Sequence, residues 1–210
     1  MTHDGRRLRG LRSRETILRQ AVELSSVEGL DGLSLGRLAT ATGVSKSGLF
    51  AHWPDKEHLQ LAAVEWAVRQ WTEQVVGPAL RAPAGVRRLF ALHEARLTFY
   101  RDGVLPGGCF FFAVQAEFDD RPGAVRDRLS RCMREWQGLI RSLVVEAVAL
   151  GELVVDADPA QLAFEIDALG EMVIVHSRLY DGAQALVHSR RAVLSRLRAL
   201  CPDPALLPED

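Results

Sequence analysis

Apolar residues recur along the chain at three- and four-residue spacing, the pattern of helices that bury one face. No run alternates apolar and polar residues between turns, and no segment repeats itself. The spacing predicts nine helices. The first starts at Ser13 as N-cap and carries Ile17, Leu18, Ala21 and Leu24 to a stop at Gly29. Ser34 caps a short second helix with Leu35, Leu38 and Ala39 inward, and Gly43 ends it. Ser45 caps a short third helix that runs to about Ala51. Asp55 starts a fourth through Leu59, Ala62, Ala63 and Trp66 toward Val76, closed by Gly77 and Pro78. A fifth follows Pro83 and Gly85 and runs to about Tyr100, a sixth covers Cys109 to Phe118, and a seventh covers Ala124 to Leu150. Asp158 and Pro159 suit the N-cap and first position of an eighth. Asp181 and Gly182 then separate it from a ninth that ends near Leu200.

The expected fold is therefore all-α: a three-helix N-terminal domain with a helix-turn-helix over residues 1–58, then a larger helical bundle over 59–210. With 210 residues, 48% of them hydrophobic, the chain can bury a sizeable core. No apolar run is long enough for a membrane helix, and the N-terminus is arginine-rich where a signal peptide would be apolar, so a cytoplasmic protein without membrane attachment is expected. Cys109, Cys132 and Cys201 lie far apart, without metal-ligand spacing, and read as buried reduced thiols. No metal site or cofactor is expected.

Charge changes the picture locally. The net charge is −1, which excludes a uniformly basic nucleic-acid binder. Residues 1–20 nevertheless hold six arginines (Arg6, Arg7, Arg9, Arg12, Arg14 and Arg19) against Asp4 and Glu15. This is either a phosphate-seeking arm or a solvated tail. The only two lysines, Lys46 and Lys56, fall in one short segment.

That segment, residues 34–53, holds two short helices joined by Thr42-Gly43-Val44. Ala39 is small enough for the helices to cross closely, Gly43 can take the left-handed turn, and Val44 and Leu49 fill the space beneath. The outward residues Ser45, Lys46, Ser47 and Gly48 are small or polar, which lets a helix N-terminus enter a major groove. Ser34 and Ser45 bring two helix N-termini to where phosphates can sit, Lys46 and Lys56 bracket the helix, and Phe50, His52 and Trp53 cluster at its end. An ordinary helical corner is the alternative reading of the local pattern.

The stretch resembles the N-terminal signature of the TetR family of regulators. The turn reads Ala39 to Ser45, the aromatic box reads Leu49-Phe50-Ala51-His52-Trp53, and the next helix opens Lys56-Glu57-His58-Leu59. Residues 13–60 carry the resemblance. It implies a DNA-binding surface of Arg14, Ser34, Thr40, Ser45, Lys46, Ser47, Gly48, Phe50, His52 and Lys56, with Phe50 and His52 packing near phosphates and Lys56 contacting one. The family often has Tyr where this chain has Phe50 and Ala51, so two possible phosphate hydrogen bonds are missing. Trp53, in place of the common Phe, reads as core.

The resemblance also implies a small-molecule effector and a homodimer that sets two recognition helices on a pseudo-palindromic double-stranded DNA operator, about one turn apart. Candidate pocket residues are Trp66, His93, Phe99, Cys109, Phe112, Gln115, Trp136, Met172 and His176, each equally readable as core. The candidate dimer stripe is Leu162, Ile166, Leu169, Gly170 and Val173, readable also as packing within one subunit. Release of DNA would follow from a ligand that prefers the DNA-incompetent form, with the fourth helix as lever near Trp66 and Trp71. The rival class is a helical enzyme or small-molecule carrier. Against it, the chain has no nucleophile elbow, P-loop or His-Glu-x-x-His, and Glu117, Asp119 and Asp120 sit in a turn with no histidine at ligand spacing.

Overall fold

The computed structural model describes residues 3–209, with side chains from Ser13 onward. All regular structure there is helical: α1 (His3–Glu28), α2 (Leu35–Thr42), α3 (Lys46–Phe50), α4 (Lys56–Trp71), a π turn (Thr72–Val76), α5 (Gly77–Leu80), α6 (Val86–Arg101), α7 (Phe110–Phe118), α8 (Ala124–Ala149), α9 (Pro159–Leu179), α10 (Gly182–Leu200) and a 3-10 turn (Pro204–Leu206). α4, the π turn and α5 run on without a break, so the described chain has the nine helical stretches that its periodicity predicts. Two ends differ from expectation. α1 begins at His3, which puts Ser13 inside the helix and not at its cap. Pro78 does not stop the fourth helix: the wider π turn just before it accommodates a residue with no N–H to give.

By packing, the helices gather into two compact units. The first takes the chain through Arg69 together with Leu105–Ser130, and the second takes Gln70–Val104 with the chain from Arg131 on. The division expected near residue 58 follows the motif, whereas the packing unit continues along α4 and recruits α7 and the start of α8.

In the first unit Ile17, Leu18, Ala21 and Val22 of α1 are buried, with Leu38, Leu49, Trp53 and Leu59 from the helices that follow. α7 adds Phe110, Val114 and Phe118. The bend between α1 and α2 is fastened by one side chain of α7. The Glu117 carboxylate accepts the amides of Leu30 at 2.6 Å, Asp31 at 3.1 Å and Gly32 at 3.3 Å. The carbonyl of Leu30 accepts from the Gln60 amide of α4 at 3.0 Å. The Gly107 amide, in the loop before α7, donates to Ser26 Oγ of α1 at 3.0 Å.

In the second unit α6 opens without a capping side chain of its own. Its free amides meet two carboxylates: Gly85 donates to Glu146 at 3.2 Å and Val86 to Glu152 at 2.8 Å. A buried ion pair joins α6 to α9, with Arg96 donating to the Asp167 carboxylate at 2.9 Å. Asp167 also accepts from Trp136 Nε1 at 2.8 Å and Gln137 Nε2 at 2.6 Å, so its charge is met on several sides. Gly170 makes room for this pair, since a Cβ there would lie 2.5 Å from the Arg96 guanidinium. His93 is buried nearby, and its Nε2 lies 3.3 Å from Ser189 Oγ. The Ser189 hydroxyl gives its one proton to the Leu169 carbonyl at 2.9 Å, so the imidazole must donate from Nε2, leaving Nδ1 unprotonated and without a described partner. Burial, with Arg96 and Arg190 in support, pushes the His93 pKa down to about 3 against a smaller opposing effect of Ser189.

Two outcomes follow. Glu117→Ala strips three amides of their acceptor and is expected to destabilise the protein by about 1–3 kcal/mol in urea unfolding, with Glu117→Gln losing less because one oxygen remains. His93 stays neutral in the folded chain but takes up a proton below its ordinary pKa of 6.5 once unfolded, so stability should fall as pH drops from 6.5 toward 3. His93→Gln should make that decline shallower by about 1.4 kcal/mol per pH unit in mid-window, read from unfolding curves at stepped pH.

Candidate nucleic-acid interface

The candidate surface is assembled from two helices too short to stand alone, α2 of 8 residues and α3 of 5. Local caps define both. Ser34 Oγ accepts from the Arg37 amide and Ser45 Oγ from the Gly48 amide at 3.1 Å. Gly43 takes φ +67° between them, where a side chain would be strained. At Gly48 the reason is space: a Cβ would lie 2.6 Å from Val44 Cγ1. The inward anchor of α3 is Leu49, buried along with Trp53.

The opposite side of α3 faces water. Ser45, Lys46, Ser47 and Phe50 are exposed and Gly48 is half-buried. The Ser45 and Ser47 hydroxyls lie 3.0 Å apart. The Lys46 chain folds toward α2, its Nζ 3.7 Å from where a Gly36 Cβ would sit, and no described residue pairs with its ammonium. Ser34 and Thr40 are exposed on α2, and Thr40 Oγ1 donates back to the Gly36 carbonyl at 3.1 Å.

Three predicted residues stand differently from expectation. Lys56 is engaged: its Nζ donates to the Asp31 carbonyl at 2.5 Å and lies 3.3 Å from the Asp31 carboxylate. Asp31 also holds Arg121, and hydrogen bonds first from Arg121 and then from Lys56 keep its carboxyl below the usual range. Arg14 is exposed with its guanidinium 5.1 Å from the Trp53 ring centre, a cation–π contact absent from the sequence reading. The expected aromatic cluster is only partly formed. His52 and Trp53 approach to 5.5 Å, while Phe50 points away with 48% of its surface exposed. The side chains of Arg6, Arg7, Arg9 and Arg12 lie outside the described residues.

The candidate pocket residues divide between the units. Trp66, Cys109, Phe112 and Gln115 belong to the first, where Trp66 donates to Glu15 of α1 at 2.5 Å, Cys109 is buried, and Phe112 and Gln115 are half-buried. His93, Phe99, Trp136, Met172 and His176 belong to the second. There the ring of Trp71 meets Phe99 at 5.2 Å and Trp136 at 5.4 Å, both edge to face. Met172 and His176 are exposed, and His176 meets the Tyr180 ring edge to face at 6.3 Å. Sequence reasoning missed the group around Arg96 and Asp167, which also includes Glu171. Burial and the charge of Asp167 hold the Glu171 carboxyl above its ordinary range, with Arg96 acting in the other sense. The expected dimer stripe turns inward: Leu162, Ile166, Gly170 and Val173 are buried and Leu169 half-buried within the protomer, because α9 packs on α10 and α6 through that face. The exposed side of α9 carries Phe164, Met172 and Leu179 instead.

Two family descriptions match the chain. "Bacterial regulatory proteins, tetR family" matches residues 17–63, and "Tetracyclin repressor-like, C-terminal domain" matches residues 85–193. The chain belongs to the TetR family. Its members are DNA-binding regulators and not enzymes, and the exposed α3 lies inside the segment that carries the family's DNA-binding motif. Solved structures agree. A TetR transcriptional regulator from Chloroflexus aurantiacus is 27% identical with a TM-score of 0.85, over 92% of this chain and 98% of that one. A TetR-family regulator from Cytophaga hutchinsonii shares the fold at 20% identity and TM-score 0.80, over 93% and 98%. So does AibR, in complex with isovaleryl coenzyme A and operator DNA, at 20% identity and TM-score 0.69, over 90% and 98%. No curated protein matches the chain. Among the described residues, no helix is long and apolar enough to cross a membrane, and no group of His, Cys, Asp or Glu is arranged to hold a metal ion.

A test of the surface concerns Gly48. In an ordinary helix Gly→Ala adds about 1 kcal/mol of stability. Here the added methyl meets stiff, β-branched Val44, so Gly48→Ala is expected to give no gain in thermal unfolding. A clear stabilisation would show that Val44 yields freely.

Proposed function

We propose that this TetR-family protein is a ligand-responsive transcriptional regulator, in its simplest form a repressor, that binds a pseudo-palindromic operator as a homodimer and leaves it when a small-molecule effector binds. The observation that carries the DNA-binding part is the division of α3 into a buried side, Leu49, and an exposed side of Ser45, Lys46, Ser47 and Phe50. Apart from Phe50 that exposed side is small and polar, the character that lets a helix N-terminus enter a major groove. AibR, a protein of the same fold, has been seen with both isovaleryl coenzyme A and operator DNA, which supports two kinds of partner for this architecture.

For the dimer, the supporting feature is the exposed side of α9. Phe164, Met172 and Leu179 lie two helical turns apart in succession and so share a side, and Val187 on α10 is exposed too. A two-fold contact through such a side would bury apolar surface that one copy leaves in water. For the effector, the supporting feature is the second unit's aromatic and ionisable group of Trp71, Phe99, Trp136, Arg96, Asp167 and Glu171. It offers apolar surface together with a few oriented polar atoms. An effector acts only through its differential affinity for the two forms of the protein. Trp66, Cys109, Phe112 and Gln115 lie in the first unit and are not part of that group.

The deciding experiment is selection of duplexes from a random-sequence library by the full-length protein at low ionic strength, followed by salt titration on the enriched duplex. A symmetric enriched site is the expected result. Lys46→Ala should lower the slope of log affinity against log salt by about one for each Lys46 that meets a phosphate. Recovery of no duplex would reject the regulator reading.

A further inference from the structure

The outward side of α3 holds one apolar group among polar ones, and the place near phosphates that the family resemblance implies for it gives a phenyl ring no chemical role. Phe50 exposes 48% of its surface and has no ring partner. Among the described residues of the first unit, no other Phe, Tyr or Trp is as exposed. Burying half a phenyl ring is favourable, and Trp53, three residues on, shows that the local core accepts aromatic residues. Phe50 is nevertheless kept in water, on the same helix side as Ser47 and Lys46.

Resting on the DNA-binding reading above, we propose that Phe50 is a specificity-determining residue that reads the C5-methyl group of a thymine in the major groove. Along the floor of that groove the base pairs present hydrogen-bond donors and acceptors, and the thymine methyl is the one apolar group among them. A phenyl ring can neither donate nor accept a conventional hydrogen bond. Set against a phosphate, it would desolvate the oxygens with nothing in return. Set against a methyl, it loses no hydrogen bond and removes apolar surface from water on both sides. The neighbouring chemistry divides in the same way. Ser45 and Ser47 present hydroxyls, and the free cation of Lys46 leans toward α2, away from the C-terminal end of α3 where Phe50 sits. Polar and charged contacts therefore belong to the start of the helix and an apolar contact to its end. Arginine and lysine read guanine with charge, but this position recognises thymine without any, so the contact is insensitive to salt.

The test uses the full-length protein and the duplex enriched by library selection. Each thymine in the half-site is replaced singly by uracil, which keeps the base pair and deletes only the methyl. Wild-type protein should lose about fourfold in affinity at one position per half-site, the factor that burial of one methyl-sized group is worth, and the loss should persist at raised salt. Phe50→Ala should bind the thymine and uracil duplexes equally. Its fold is checked by unfolding, and an exposed side chain leaves that fold intact. Indifference of the wild type to every uracil overturns the proposal while leaving the regulator reading in place. So does a Phe50→Ala protein that still prefers thymine by the full factor, since another residue must then touch the methyl. Failure to bind any duplex removes both readings together.

Discussion

The helix-turn-helix hangs on one carboxylate. Glu117 accepts from three successive amides in the bend between α1 and α2, and those amides have no helical partner because the bend interrupts the helix. The nearby Leu30 carbonyl is met by Gln60. Both polar edges of the bend are thus satisfied by side chains, one from α7 and one from α4. α2 and α3 follow directly and are too short to hold a direction by their own hydrogen bonds. Their orientation is therefore inherited from the bend and from the buried contacts of Leu38, Leu49 and Trp53.

This explains why the boundary seen in sequence and the boundary seen in packing fall apart. The match to the family's C-terminal domain spans residues 85–193, yet α7 within it packs in the first unit with α1. Hydrogen bonds to a charged acceptor are short and directional. The Glu117 carboxylate therefore ties α7 to the bend through three amides at once.

What was legible in the sequence was local. The Ser34, Ser45, Asp55 and Asp158 caps act on amides two or three residues away, and Gly43 acts on its own φ, so residue type alone announces them. Glu117 acts 87 residues from Leu30 and Arg96 acts 71 from Asp167, and nothing in the spacing of either pair reports the partner. The acids near Glu117 read only as a cluster without metal geometry. α9 shows a second limit. It is apolar on both sides, with Leu162, Ile166 and Val173 on one and Phe164, Met172 and Leu179 on the other, so periodicity identifies a helix but not the face that turns inward. The size of Gly170 was visible, but its beneficiary, the Arg96 guanidinium, was not.

The same distinction settles how to regard Lys56. Its ion pair with Asp31 is exposed on both sides, and such pairs contribute little because water and salt screen them. Asp31 keeps a second cation, Arg121, when Lys56 leaves. Loss of the Lys56 pair therefore strands no charge, and the bonds given up, to the Asp31 carbonyl and carboxylate, are both exposed. The two lysines thus differ in kind: the Lys46 ammonium has no described partner, while the Lys56 ammonium is held by Asp31, whose own amide donates to Glu117 in the same bend.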